Sequence, residues 1–205
     1  MEAKVKFPKG KWLWPSIWML SDENKYGDDQ DGEIPFSGEI DIIEPRGHPT
    51  SINENIFAVH GSDHDVSWRR YGEISPITGD HFDEGYHTFG LKWTKNRIQG
   101  YLDTEDYTYM DFDTSHLGKD FPVNGKTSPY KESGNAPFDQ RFYLIINMSI
   151  AGSYFGKKQF PDKCWEDENP LKINQFWQCS NDWYPTWNYP ETDDASLKID
   201  SIKVW

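Results

Sequence analysis

Apolar and polar residues alternate along this chain in short runs, without the three-to-four-residue recurrence of a helix. Period-two runs predict β-strands, whose successive side chains point to opposite faces. They fall at Glu2–Phe7, Trp14–Leu20, Gly38–Glu44, Ile56–His60, His87–Trp93, Arg97–Asp103, Phe142–Ile150 and Leu197–Trp205. Gly, Pro, Asn and Asp separate them, the residues that tight turns demand. Longer polar stretches at Ser21–Phe36, Asp111–Phe138 and Gln159–Glu191 read as surface loops. The pattern predicts an all-β protein, an antiparallel sandwich or barrel. A length of 205 residues fits one domain with a sizeable core.

One run breaks its own alternation. In Glu39-Ile40-Asp41-Ile42-Ile43-Glu44, strict alternation puts Glu39 and Asp41 on one face and Ile40 and Ile42 on the other. It would then turn Ile43 up with the acids and bury Glu44 among isoleucines, which is costly for an unpaired carboxylate. One extra residue near Ile42-Ile43, a β-bulge, returns Glu44 to the acidic face. Bulges recur beside active sites, where they re-aim a side chain. Carboxylates so clustered shift one another's pKa, so that one holds a proton while another is ionised. Glycoside hydrolysis uses that division of labour, and a gap of about 5 Å between the two groups suits the retaining route. The competing reading is a solvated acidic strand face.

Composition narrows the partners. The net charge of −13 argues against a nucleic-acid surface and makes a neutral polysaccharide a better partner than an anionic one. No apolar run is long enough to suggest a membrane span. Ten Trp, eleven Tyr and twelve Phe are many for so polar a chain. Most are expected in a sandwich core and a minority along a cleft, where flat rings stack on sugars. Cys164 and Cys179 lie in a polar, Trp-rich stretch; an oxidising compartment would join them, whereas a reducing one would leave two thiols. His60, His64, His81 and His87 show no metal-ligand spacing. Met1 leads directly into a strand-like run, without the charged-then-apolar pattern of a signal peptide.

The segment Gly38–Glu44 resembles the active-site strand of glycoside hydrolase family 16, in the bulged Glu-x-Asp-x-x-Glu form of laminarinase-type endo-β-1,3-glucanases. The shorter Glu-x-Asp-x-Glu form belongs to lichenases and xyloglucan transglycosylases. Other segments resemble the family in the same order: Lys9–Leu20, His87–Thr94, Phe138-Asp139-Gln140 with Leu144–Asn147, Trp183–Trp187 and Leu197–Trp205. The resemblance implies a concanavalin-like jelly roll with a concave cleft and endo-hydrolysis of neutral β-1,3-glucan. In these terms Glu39 is the nucleophile, Glu44 the acid/base, and Asp41 the group between them that tunes the pair. His60 matches a histidine that approaches the acid/base from the neighbouring strand. Trp14, Trp18 and Trp187 match sugar-binding walls, with Arg46 and Asn147 as polar contributors, whereas Trp12 suits core or rim equally. Asn147-Met148-Ser149 matches a glycosylation sequon, although a strand facing a cleft is a poor acceptor.

The resemblance also implies a secreted monomer that needs no cofactor and binds neither nucleic acid nor membrane. Some members carry a structural calcium, for which Asp200 is the candidate ligand here. Family members have strands before the position matching Glu2, so the single domain over 1–205 is expected to lack them and to expose sheet edges. Two further activities stay open: glucan recognition without catalysis, and transglycosylation, in which a sugar replaces water.

Overall fold

The computed structural model describes residues 1–27, 36–48, 55–63, 66–74, 81–115, 117, 130 and 134–205, with the backbone alone for 56–63, 66–71 and 73. Ten strands are seen among these residues: β1 (Glu2–Lys6), β2 (Leu13–Ser21), β3 (Glu39–Ile43), β4 (Asn55–Asp63), β5 (Val66–Ile74), β6 (His87–Thr94), β7 (Arg97–Leu102), β8 (Thr104–Asp113), β9 (Phe142–Ile150) and β10 (Lys198–Lys203). They form two five-stranded antiparallel sheets, ordered β10-β1-β6-β7-β8 and β5-β4-β3-β2-β9. This is the all-β sandwich expected, of jelly-roll type.

The core lies between the sheets. Ile17, Ile40, Ile42, Ile43 and Ile74 from one meet Val5, Phe89, Leu91, Ile98, Leu102 and Met110 from the other. Burying each such side chain contributes about 1.5–3 kcal/mol. Phe7 stacks on Phe89 with ring centroids 5.1 Å apart, adding aromatic packing at one end.

Two strands escaped the alternation. In β8, each of Thr104, Glu105, Asp106 and Tyr107 is exposed to solvent, and two register shifts against β7 break its period. Of the loop expected over Asp111–Phe138, Asp111–Asp113 belong instead to β8, and much of the remainder lies outside the described residues. In β5, Trp68-Arg69-Arg70-Tyr71 interrupts the apolar alternation.

The expected loop over Gln159–Glu191 is also corrected. It carries α1 (Lys172–Gln178), α2 (Ser180–Trp183) and a 3₁₀ turn at Tyr184–Trp187. These short elements are organised by packing. Phe176 and Trp183 join Trp12, Phe155, Phe160 and Trp165 in a second buried cluster, and Cys164 and Cys179 form a disulfide beside it. Trp12 is thus core, and no helix among the described residues is long and apolar enough to cross a membrane.

Candidate active site

Strand register places most of the predicted residues on one face. Across β2 and β3, Leu20 pairs with Glu39, Trp18 with Asp41, Met19 with Ile40 and Ile17 with Ile43. Met19, Ile17, Ile40 and Ile43 pack in the core, so Glu39 and Asp41 share the opposite face with Trp18 and Leu20. The register shifts between Ile17 and Trp18, leaving Ile42 as the extra residue. That is the bulge expected at Ile42-Ile43. Both isoleucines are fully buried in the core, so the chain leaves the bulge with Glu44 back in phase with the acidic face.

Local sequence supports this geometry at both ends of β3. Gly38 enters the strand with φ of +83°, a left-handed conformation cheap only for glycine, and a Cβ there would come within 2.8 Å of Pro137. Pro45 follows Glu44, and the residue before a proline is held extended. Asp41 is buried at 4% exposure, whereas Glu39 and Glu44 are half-buried. Two flanking carboxylates reachable from solvent and one enclosed between them suit a reacting pair with a tuning partner.

The Glu44 peptide is held on both sides. Its N–H donates to Asn55 Oδ1 at 3.1 Å, and its carbonyl accepts the Tyr154 hydroxyl at 2.8 Å. Asn55, fully buried, also donates from Nδ2 to the Ile42 carbonyl at 3.1 Å and to the Tyr109 hydroxyl at 3.3 Å. Burial pushes the Tyr109 phenol well above its ordinary pKa, outweighing the Asn55 hydrogen bond, so it stays protonated.

The remaining candidates fall into two groups. Trp14, Ser16 and Trp18 oppose Ser149, Asn147 and Ile145 of β9, on the same face as the acids. Trp18 Nε1 donates to Asn147 Oδ1 at 2.7 Å. Trp14 stacks on Tyr154 at 4.2 Å, and the Arg46 guanidinium lies 5.4 Å over the other ring of that pair. Arg46 Nη1 also donates to Gln159 at 2.8 Å. His60 stands directly across from Glu39 in the backbone register, and so opposes the predicted nucleophile; its side chain lies outside the described residues, as does His64.

Trp187 belongs with the second aromatic cluster. Its Nε1 donates to the Lys11 carbonyl at 2.8 Å, and its ring lies 4.7 Å from Trp183. Gly10 makes room for it, since a Cβ there would sit 2.4 Å from Trp187 Cδ1. Asp200 faces Lys4 at 3.4 Å, away from the acidic strand. Among the described residues, no group of three His, Cys, Asp or Glu is placed to hold a metal ion.

Sequence reasoning missed Asn55 and Tyr154. The Gly152-Ser153-Tyr154-Phe155-Gly156 stretch after β9 hinted at an aromatic turn. Nothing in the sequence marks Asn55, because its role arises only where the bulge interrupts the ladder.

With this geometry in place, similarity to known proteins adds an independent line. A family model described as Glycosyl hydrolases family 16 matches residues 1–128. A Penaeus monodon protein named beta-1,3-glucan-binding protein is 32% identical over all of this chain and 58% of its own length. A Cryptopygus antarcticus glucan endo-1,3-beta-glucosidase is 33% identical over 78% of this chain and 53% of its own. The solved endo-beta-1,3-glucanase from Pyrococcus furiosus superposes with a TM-score of 0.53 at 29% identity, covering 75% of this chain and 51% of that one. The chain thus spans about half the length of these relatives.

Proposed function

Because the chain belongs to glycosyl hydrolases family 16, we propose that it cuts β-1,3 linkages within laminarin-like glucans and retains the anomeric configuration. Glu39 attacks the anomeric carbon while Glu44 gives its proton to the departing glycosidic oxygen. The carbon–oxygen bond to the leaving chain breaks as an ester to Glu39 forms. Water then adds to the same carbon, passes its proton to Glu44 and releases the Glu39 carboxylate, so both groups return to their starting states. Asp41, enclosed between them, holds the proton-sharing hydrogen bond that keeps one acid protonated. Trp14, Trp18, His60, Arg46 and Asn147 contact the neutral glucan, and the chain acts as a secreted monomer without a required cofactor. The Cys164–Cys179 disulfide supports an oxidising compartment.

The bulge carries this reading, since one extra residue brings three acids to a face shared with Trp18 and Asn147. Laminarin hydrolysis with product anomers followed over time tests it: β-anomer released first supports retention. Glu39→Gln should lower turnover by about 10⁴-fold or more while leaving glucan binding near wild type. Near-normal rates in that variant would remove Glu39 as nucleophile.

A second reading is glucan recognition without turnover, favoured by the likeness to the Penaeus monodon glucan-binding protein. Tight laminarin binding by a wild-type chain that releases no product would select it. Transfer to sugar acceptors in place of water would instead appear as products longer than the substrate.

A further inference from the structure

A bulge solves one problem and creates another. It returns Glu44 to the acidic face, but it leaves the ladder between β3 and β4 without regular pairing beyond it. The register pairs run from Glu39–His60 to Asp41–Ala58 and stop there. The Ile42 carbonyl and the Glu44 N–H, two residues apart, then need other partners, because enclosed backbone groups are nearly always hydrogen-bonded.

Asn55 supplies both. At the first position of β4, its carboxamide donates to Ile42 O and accepts from Glu44 N–H, each at 3.1 Å. One planar amide thereby takes the place of a missing stretch of strand. The remaining Nδ2 proton is directed to Tyr109 Oη on the opposite sheet, which fixes the orientation of the amide. A carboxylate could accept from Glu44 but not donate to Ile42, and serine is too short to span both groups. The side chain is fully enclosed, so water cannot substitute for it without opening the core.

We propose that Asn55 is a positioning residue for the acid/base: by clamping the bulge it sets where the Glu44 carboxyl stands relative to Glu39. This rests on the hydrolase reading above. The consequence is a selective defect. Displacing Glu44 slows protonation of a poor leaving group, and a misplacement of about 1 Å costs on the order of 100-fold. A substrate whose leaving group departs without a proton should barely notice.

The test compares kcat/KM, which reports formation of the glycosyl–enzyme, on laminarin and on a 2,4-dinitrophenyl β-laminaribioside. In Asn55→Ala the proposal expects a loss of about 100-fold on laminarin against a few-fold on the aryl glycoside, with azide accelerating aryl-glycoside turnover and yielding glycosyl azide. Equal losses on both substrates would reduce Asn55 to a structural residue, and no loss on either would remove the clamp. If Asn55→Ala does not fold, Asn55→Ser, which keeps a hydroxyl in the site, is read against the same outcomes. Wild-type turnover separates this claim from the one beneath it. A wild type inactive on both substrates defeats the hydrolase reading, and the clamp is then decided by exchange of the Glu44 amide hydrogen. Slow exchange in wild type that accelerates in the variant beyond its global destabilisation upholds the clamp; unchanged exchange refutes it.

Discussion

Strands β3 and β9 lie on either side of β2 and are both rich in isoleucine, yet their apolar faces meet opposite fates. Ile40, Ile42 and Ile43 of β3 are fully buried. Ile146, Met148 and Ile150 of β9 are 46%, 41% and 50% exposed, although they oppose Ile17, Pro15 and Leu13 on the core-facing side of β2. The second sheet covers β3, whereas β9 is an edge strand among the described residues. Periodicity decides which face of a strand is apolar; sheet order decides whether anything covers it. A contiguous exposed apolar strip on an edge also favours association over solubility.

Matched substitutions in the two strands should break this comparison if it is wrong. Ile40→Lys puts an unpaired charge into the closed core and is expected to abolish folding. Ile43→Ala leaves a cavity and should cost about 2–5 kcal/mol in urea unfolding. Ile146→Ala, with nearly half its surface already in water, should cost less than about 1 kcal/mol, and Ile146→Lys should reduce binding of an apolar dye. Comparable losses from Ile43→Ala and Ile146→Ala would mean that β9 is covered in solution.

The disulfide sharpens the same contrast from the other end of β9. Ala151 N–H, just past the strand, donates to Trp12 O at 2.8 Å and so ties β9 to the second aromatic cluster. The Cys164–Cys179 link closes a loop across a separation of 15 residues. Its removal in Cys164→Ser is expected to cost about 3 kcal/mol in chemical denaturation. Hydrogen exchange should quicken first around the cluster and β9, leaving β3 protected. A uniform increase across both strands would show that the sandwich and the cluster unfold as one unit.

Much of this was legible in the sequence where one physical pattern dominated. The misfit of Ile43 and Glu44 to a period of two located the bulge to the pair Ile42-Ile43, and the register then singled out Ile42. The eight strand-like runs survive with boundary shifts of a few residues at most, apart from β4, which extends past His60 to Asp63. What escaped was set by tertiary packing. Strand β8 is an edge among the described residues and its first half is wet, so apolar alternation does not announce where it starts. Helix α1 is seven residues long, and Leu171 caps it without a side-chain hydrogen bond, so neither period nor capping announced it. Asn55 and Tyr154 act through backbone groups of another strand, a relation that sequence spacing does not encode.

A modest, pH-dependent effect concerns the salt-linked edge of the aromatic cluster. Asp162 bonds Lys11 at 2.7 Å and the buried His48 at 3.0 Å, beside Trp12. Partial burial works against its charge, but the hydrogen bonds from Lys11 and His48 prevail and hold its carboxyl below the usual 3.8. A depressed folded-state pKa means that the unfolded chain takes up the proton first as pH falls. The stabilisation is therefore present above about pH 4 and fades as pH drops through 3.8 towards the folded value. With 40% of the side chain in water, it is worth about 1 kcal/mol. Asp162→Asn should lower Tm at pH 6 by a few degrees, and the gap to wild type should narrow as pH falls below 3.8. Because the cluster anchors the β9 end of the sheet, the loss should appear in tryptophan fluorescence of the cluster while β3 amides stay protected. A gap that did not narrow at all as pH fell below 3.8 would show that shape, and not the charge of Asp162, secures that end of the sheet.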